Sequence, residues 1–150
     1  GRRLISPQRT DPLYEQHLRE KCADIAANEQ RWEAVQTEDA EVILVAYGIS
    51  GRVCKHAVQV ARAKGLKLGL IRPISLWPFP TKPFEQVVDT AKGFLVVEMS
   101  ALGQMAEDVA LSIRCQKPVY LYPSGPTPPK ETIILQMVED ILQGKLKEVF

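Results

Sequence analysis

EVILVAYGISGR, residues 41–52, decides how the rest of the chain is read. Val42, Ile43, Leu44, Val45 and Ala46 are a continuous apolar run rich in β-branched residues, bounded by polar Glu41 and by Gly48. The run is too short for a buried helix and reads as a strand covered on both faces, as in the middle of a parallel sheet. Gly48, Ser50 and Gly51 then form a tight turn, and from Arg52 the apolar positions Val53, Ala57, Val60 and Ala61 fall at helical spacing.

The same strand–turn–helix plan repeats outward from this centre. The first strand covers 41–47 and its helix 52–64, with Gly65 at the helix C-terminus. KLGLIR, 67–72, is the second strand, followed by a loop stiffened by Pro73, Pro78 and Pro80. Thr81 is the expected cap of a helix over 82–91. Gly93 leads into a third strand, 94–99, and Gly103 opens a helix running from Gln104 to Arg114. PVYLY, 118–122, is the fourth strand, and Thr127 with Pro128 opens a last helix that Gly144 ends. Before the first strand, Asp11 and Pro12 form a helix start, and a weak apolar stripe extends that helix to Val35. Alternating strands and helices predict a three-layer α/β/α sandwich with a mainly parallel sheet, strand order 2-1-3-4. Residues 1–36 are then an N-terminal arm and helix continuing from an upstream domain, and 37–150 are the α/β domain. Gly1 in place of methionine fits a processed or excised chain.

Composition narrows the function. With 150 residues, 45% hydrophobic content and a net charge of +1, the chain suits one globular domain and offers no electrostatic case for nucleic acid. No apolar run reaches the roughly 20 residues that span a bilayer, and the N-terminus lacks a signal-peptide core. Cys22, Cys54 and Cys115 are scattered and contain no CxxC, as expected of free thiols in a reducing cytoplasm.

Several stretches carry candidate chemistry. Gly48, Ser50, Gly51 and Arg52 follow the first strand at a helix N-terminus, where free backbone N–H groups can hold an anion. The third glycine of a dinucleotide fingerprint is missing, so a plain tight turn is the competing reading. Arg72, Pro73, Trp77, Pro78, Phe79 and Pro80 form an aromatic, proline-stiffened loop suited to a protein interface. The alternative is that Trp77 and Phe79 fold back on their own sheet. Glu98 at a strand end and Gln104 at the next helix start are a candidate polar site, or a structural cap. His17 and His56 lie on helices with no ligand pattern around them. No catalytic set, metal cluster or cofactor-binding set emerges. One reading from residues alone is a free-standing flavodoxin-like module that binds an anion or nucleotide at 48–52.

VAYGISGR, GLKLGLIRPISLWPFP, FLVVEMSALGQMAEDV and YPSGPTPPKE, in this order and spacing, carry a resemblance. Together with RRLISPQRTDPLYEQHLREK they resemble the C-terminal, transketolase-C-like domain of the alpha-type subunit of 2-oxoacid:ferredoxin oxidoreductases, most of all the 2-ketoisovalerate type. RPISLWPFP and EMSALGQMAEDV are the most specific parts. The resemblance implies an enzyme that uses thiamine diphosphate, magnesium and iron–sulfur clusters to turn a 2-oxoacid and coenzyme A into an acyl-CoA, reducing ferredoxin. It implies a cytoplasmic complex whose other domains and subunits are the partners of this one, a homodimer being among the expected assemblies. Neither the GDG…N diphosphate–magnesium motif nor cluster cysteines occur in this chain. The implied role here is therefore structural and assembly-related, with no catalytic, cofactor-binding or metal residue.

Overall fold

The computed structural model describes residues 12–150, so the expected Asp11 cap and the arm over 1–10 lie outside the described residues. Five strands form one sheet in the order β1-β3-β2-β4-β5. The apolar run is its central strand β2 (Val42–Val45), flanked in parallel by β3 (Leu68–Pro73) and β4 (Gly93–Glu98), with β5 (Val119–Pro123) parallel to β4. These four strands stand in the order expected from the sequence.

Alternation along the strands sends side chains to two apolar layers. Val42, Leu44, Leu68, Leu70, Leu95 and Val97 pack under α2 (Gly48–Ala63) and α5 (Glu131–Leu142). Ile43, Val45, Ile71, Phe94 and Val96 pack under α3 (Lys82–Glu85) and α4 (Met105–Ser112). Every residue of β2 is fully buried, which is why its sequence shows no polar alternation.

Three expectations need correction. The first helix, α1 (Pro12–Asn28), does not run to Val35; it stops, and β1 (Trp32–Val35) joins the sheet antiparallel to β3. Four residues are too short a segment for periodicity to separate strand from helix, and the pairing is what decides it. The helix after Thr81 is a single turn continued by irregular turns, and Thr81 makes no side-chain cap. The last helix begins at Glu131, not beside Thr127, whose hydroxyl instead donates to the Ser124 carbonyl at 3.3 Å. Pro126, Pro128 and Pro129 keep that stretch extended or turned. The tail after Gly144 returns along β5, where the Val119 N–H donates to the Phe150 carbonyl and the Val149 N–H to the Val119 carbonyl.

Candidate functional site

The C-terminal ends of β2, β3 and β4 form one edge of the sheet, and the connections leaving β2 run toward β3 while those reaching β4 lie on its other side. An open α/β sheet binds ligands or partners at such a switch point. Most of the residues singled out in the sequence come together along this edge, in two places.

Residues 48–52 are the first turn of α2 rather than a separate loop. Gly48 has φ +58°, a left-handed conformation that lets the chain leave β2 and enter the helix directly. Gly51 serves a different purpose. A Cβ there would stand 3.2 Å from both the Ala46 carbonyl and Arg72 Cδ, so glycine lets the Arg72 stem lie across the helix. Ser50 is buried, and Arg52 faces solvent.

Arg72 follows Leu68 and Leu70 on the α2 side of β3 and pairs directly with Glu33 of β1. Its Nη1 donates to the Glu33 carboxylate at 3.1 Å, and Lys55 of α2 donates to the other oxygen at 2.5 Å. Hydrogen bonds from Lys55 first, then Arg72, hold the Glu33 carboxyl below its ordinary value. Glu33, Gly51, Arg52, Lys55 and Arg72 line a recess of about 170 Å³. Periodicity predicts helix through Val35 and so gives no sign of Glu33 beside Arg72 and Lys55; the register of β1 on β3 reveals that cluster.

The loop beyond Arg72 divides its aromatic residues. Phe79 turns inward, stacked on Phe84 with ring centroids 5.7 Å apart, and Trp77 is 63% exposed beside exposed Ile74 and Leu76. Pro73, Pro78 and Pro80 are buried beneath, and the Trp77–Pro78 bond is cis. The Ser75 hydroxyl donates to the Pro78 carbonyl at 2.9 Å, and the Ile74 N–H donates to the Arg31 carbonyl, tying the loop to β1.

Glu98, the last residue of β4, is only 4% exposed. Its carboxylate accepts the Met105 N–H at 3.1 Å and so caps α4. Gln104, by contrast, is exposed and makes no side-chain cap. Burial, then the Glu98 charge and a hydrogen bond to it, pushes the Tyr47 phenol above its ordinary value. Tyr47, Gly48, Ile49, Ser50, Glu98 and Met99 enclose a second recess of about 130 Å³.

The remaining candidates lie apart from this edge. His56 pairs through Nδ1 with Glu131, joining α2 to α5. Cys22 is half-buried, Cys54 buried and Cys115 exposed, all free. Among the described residues no group of three His, Cys, Asp or Glu converges on a point that would hold a metal ion. No helix among the described residues is long and apolar enough to cross a membrane.

Residues 40–126, more than half of the chain, match the family model described as pyruvate:ferredoxin oxidoreductase core domain II. Among curated relatives, the chain is 49% identical over 100 residues to the ketoisovalerate oxidoreductase subunit VorB of Methanothermobacter marburgensis, covering 67% of this chain and 28% of that protein. It is 37% identical over 108 residues to the 2-oxoglutarate synthase subunit KorA of Methanocaldococcus jannaschii, covering 70% and 27%. The chain thus spans less than a third of the length of these relatives. Among solved structures, it is similar to a 2-oxoglutarate:ferredoxin oxidoreductase from Magnetococcus marinus, bound to 2-oxoglutarate, coenzyme A and succinyl-CoA. That likeness has a TM-score of 0.70 and 23% identity over 89% of this chain and 24% of the other. A split-gene transketolase aligns with a TM-score of 0.61 and 19% identity over 77% of this chain and 42% of the other. At these identities the two structures speak to the fold, which is the transketolase-like sandwich expected from the sequence.

Proposed function

We propose, since the chain belongs to the pyruvate:ferredoxin oxidoreductase core domain II family, that it is the structural and assembly domain of a 2-oxoacid:ferredoxin oxidoreductase. The whole enzyme converts a 2-oxoacid, 2-ketoisovalerate in preference to others, and coenzyme A into an acyl-CoA with reduction of ferredoxin. The observation that carries this reading is the 49% identity to a ketoisovalerate oxidoreductase subunit. Family membership also favours it over a free-standing flavodoxin-like module.

Thiamine diphosphate, magnesium and the iron–sulfur clusters belong, in this reading, to other parts of the enzyme, and coenzyme A is its co-substrate. Among the described residues of this chain, no group of three His, Cys, Asp or Glu could hold a metal ion. Its own contribution is a rigid sheet edge that docks against neighbouring domains or subunits, homodimeric contacts included. Gly48, Ser50, Gly51 and Arg52 form one part of that surface, and Arg72, Pro73, Trp77, Pro78, Phe79 and Pro80 the other. Exposed Trp77 over buried prolines supports this, because a loop already held in one shape loses little entropy on docking. The transketolase-C-like unit in this reading includes β1 (Trp32–Val35), which pairs with β3, so it extends further toward the N-terminus than residue 37. Free cysteines support a reducing cytoplasmic setting.

The test is to assay the isolated chain with 2-ketoisovalerate, coenzyme A, thiamine diphosphate, magnesium and an artificial electron acceptor. No turnover is expected from the chain alone, and activity appears only with the rest of the enzyme. Turnover by the pure chain overturns the assembly reading.

A further inference from the structure

We propose that the recess between β1, β3 and α2 is an oxyanion seat, and that its occupant is a carboxylate side chain of the polypeptide that docks on this edge. The proposal rests on the interface reading above and adds the chemistry of the partner.

Three cations, Arg52, Lys55 and Arg72, and one carboxylate, Glu33, line the recess. Glu33 engages Lys55 and Arg72. The Arg52 side chain, about one helical turn before Lys55, makes no ion pair or hydrogen bond among the described residues. Charge in the recess is thus left uncompensated. The bonding of Arg72 is incomplete as well. Glu33 takes Nη1 alone, and Nε is the one fully buried side-chain nitrogen or oxygen without a hydrogen-bond partner among the described residues. A buried donor left unmade is rare enough in folded proteins to require an explanation. Nε itself is closed off, but Nη2 also makes no hydrogen bond and is not buried, so the guanidinium can still donate to a second acceptor such as a carboxylate through Nη2.

The surroundings favour a protein carboxylate over a free phosphate. The chain leaving Arg72 exposes Ile74, Leu76 and Trp77, apolar surface that suits a polypeptide rather than a small ion.

Two measurements test this. In the first, the chain is titrated with sodium acetate, sodium phosphate or sodium chloride at constant ionic strength, following the Arg72 Nε–Hε resonance. Acetate is expected to shift it saturably, with at least tenfold weaker binding in Arg52→Gln, whereas chloride gives no saturation. Identical acetate and chloride responses overturn the seat, and saturation by phosphate with no response to acetate overturns the carboxylate assignment. In the second, the complete oxidoreductase is assembled with Arg52→Glu, Arg52→Lys or Trp77→Ala in this chain. Arg52→Glu is expected to weaken association at least tenfold at low salt, and Arg52→Lys less than threefold. If Trp77→Ala weakens assembly and Arg52→Glu does not, the seat is wrong and the interface reading stands. If Arg52→Glu alone weakens it, the seat stands and the Trp77 part of that reading fails. If neither does, both fail.

Discussion

Glu98 shows how one side chain can look catalytic in sequence and act as a cap in the fold. A carboxylate at a strand end invites a functional reading, but its oxygen accepts the Met105 N–H at the start of α4. Glu98→Ala leaves that buried amide without its acceptor, and a loss of about 1–3 kcal/mol is expected. Glu98→Gln keeps an acceptor oxygen and should lose less; chemical denaturation of both variants measures the difference, and a stable Ala variant refutes the cap. Cys54 is a second residue whose environment sets its chemistry. Burial pushes its thiol from the ordinary 9.0 up to about 12. The thiolate is the reactive form, so at pH 8.5 iodoacetamide should label exposed Cys115 and leave Cys54 unmodified until the chain unfolds. The sign for stability follows from the raised value: keeping the thiol neutral stabilises the fold fully below pH 9.0, and that contribution declines as pH rises toward 12. Mass spectrometry of labelled peptides checks the first expectation, and equal labelling of Cys54 and Cys115 in the folded chain contradicts it.

Among the elements, β1 and the loop after β3 were the least legible. Trp32–Val35 has an apolar pattern compatible with either a helix face or a strand, and the end of α1 at Asn28 carries no glycine or proline signal. Its strand character comes from pairing with β3, a contact about 40 positions away in the chain. The loop's non-helical course, in contrast, is readable from its prolines, while the division of labour between Trp77 and Phe79 is not. Phe79 stacks on Phe84, which only the position of α3 makes available. Trp77 remains outside, so Trp77→Ala should leave the melting temperature of the isolated chain nearly unchanged, because an exposed side chain away from special features contributes little to stability. In the assembled enzyme the same change is expected to cost about 2 kcal/mol or more of association, the size typical of an aromatic anchor. Thermal melts and an association assay separate the two effects; a collapse of the chain's own cooperative melting would place Trp77 in the core.

At the scale of the molecule, two apolar layers on one twisted sheet make a platform that presents its strand ends and loops along one edge. In the parent enzyme, measured as kcat/KM across 2-oxoacids, 2-ketoisovalerate is expected to exceed pyruvate and 2-oxoglutarate; a clear preference for 2-oxoglutarate counts against the branched-chain assignment. The sequence by itself determined the parallel core, because runs such as Val42–Val45 are apolar on both faces and only a covered central strand satisfies them. It also determined the order of the four parallel strands, since short right-handed crossovers leave few alternatives, and its motifs carried the family. The tertiary structure alone decided the edge strand β1, the Glu33 partnership of Arg72, the outward Trp77 and the capping role of Glu98. Periodicity records which way a side chain must face, whereas its partner is chosen by register and packing between segments far apart in the chain.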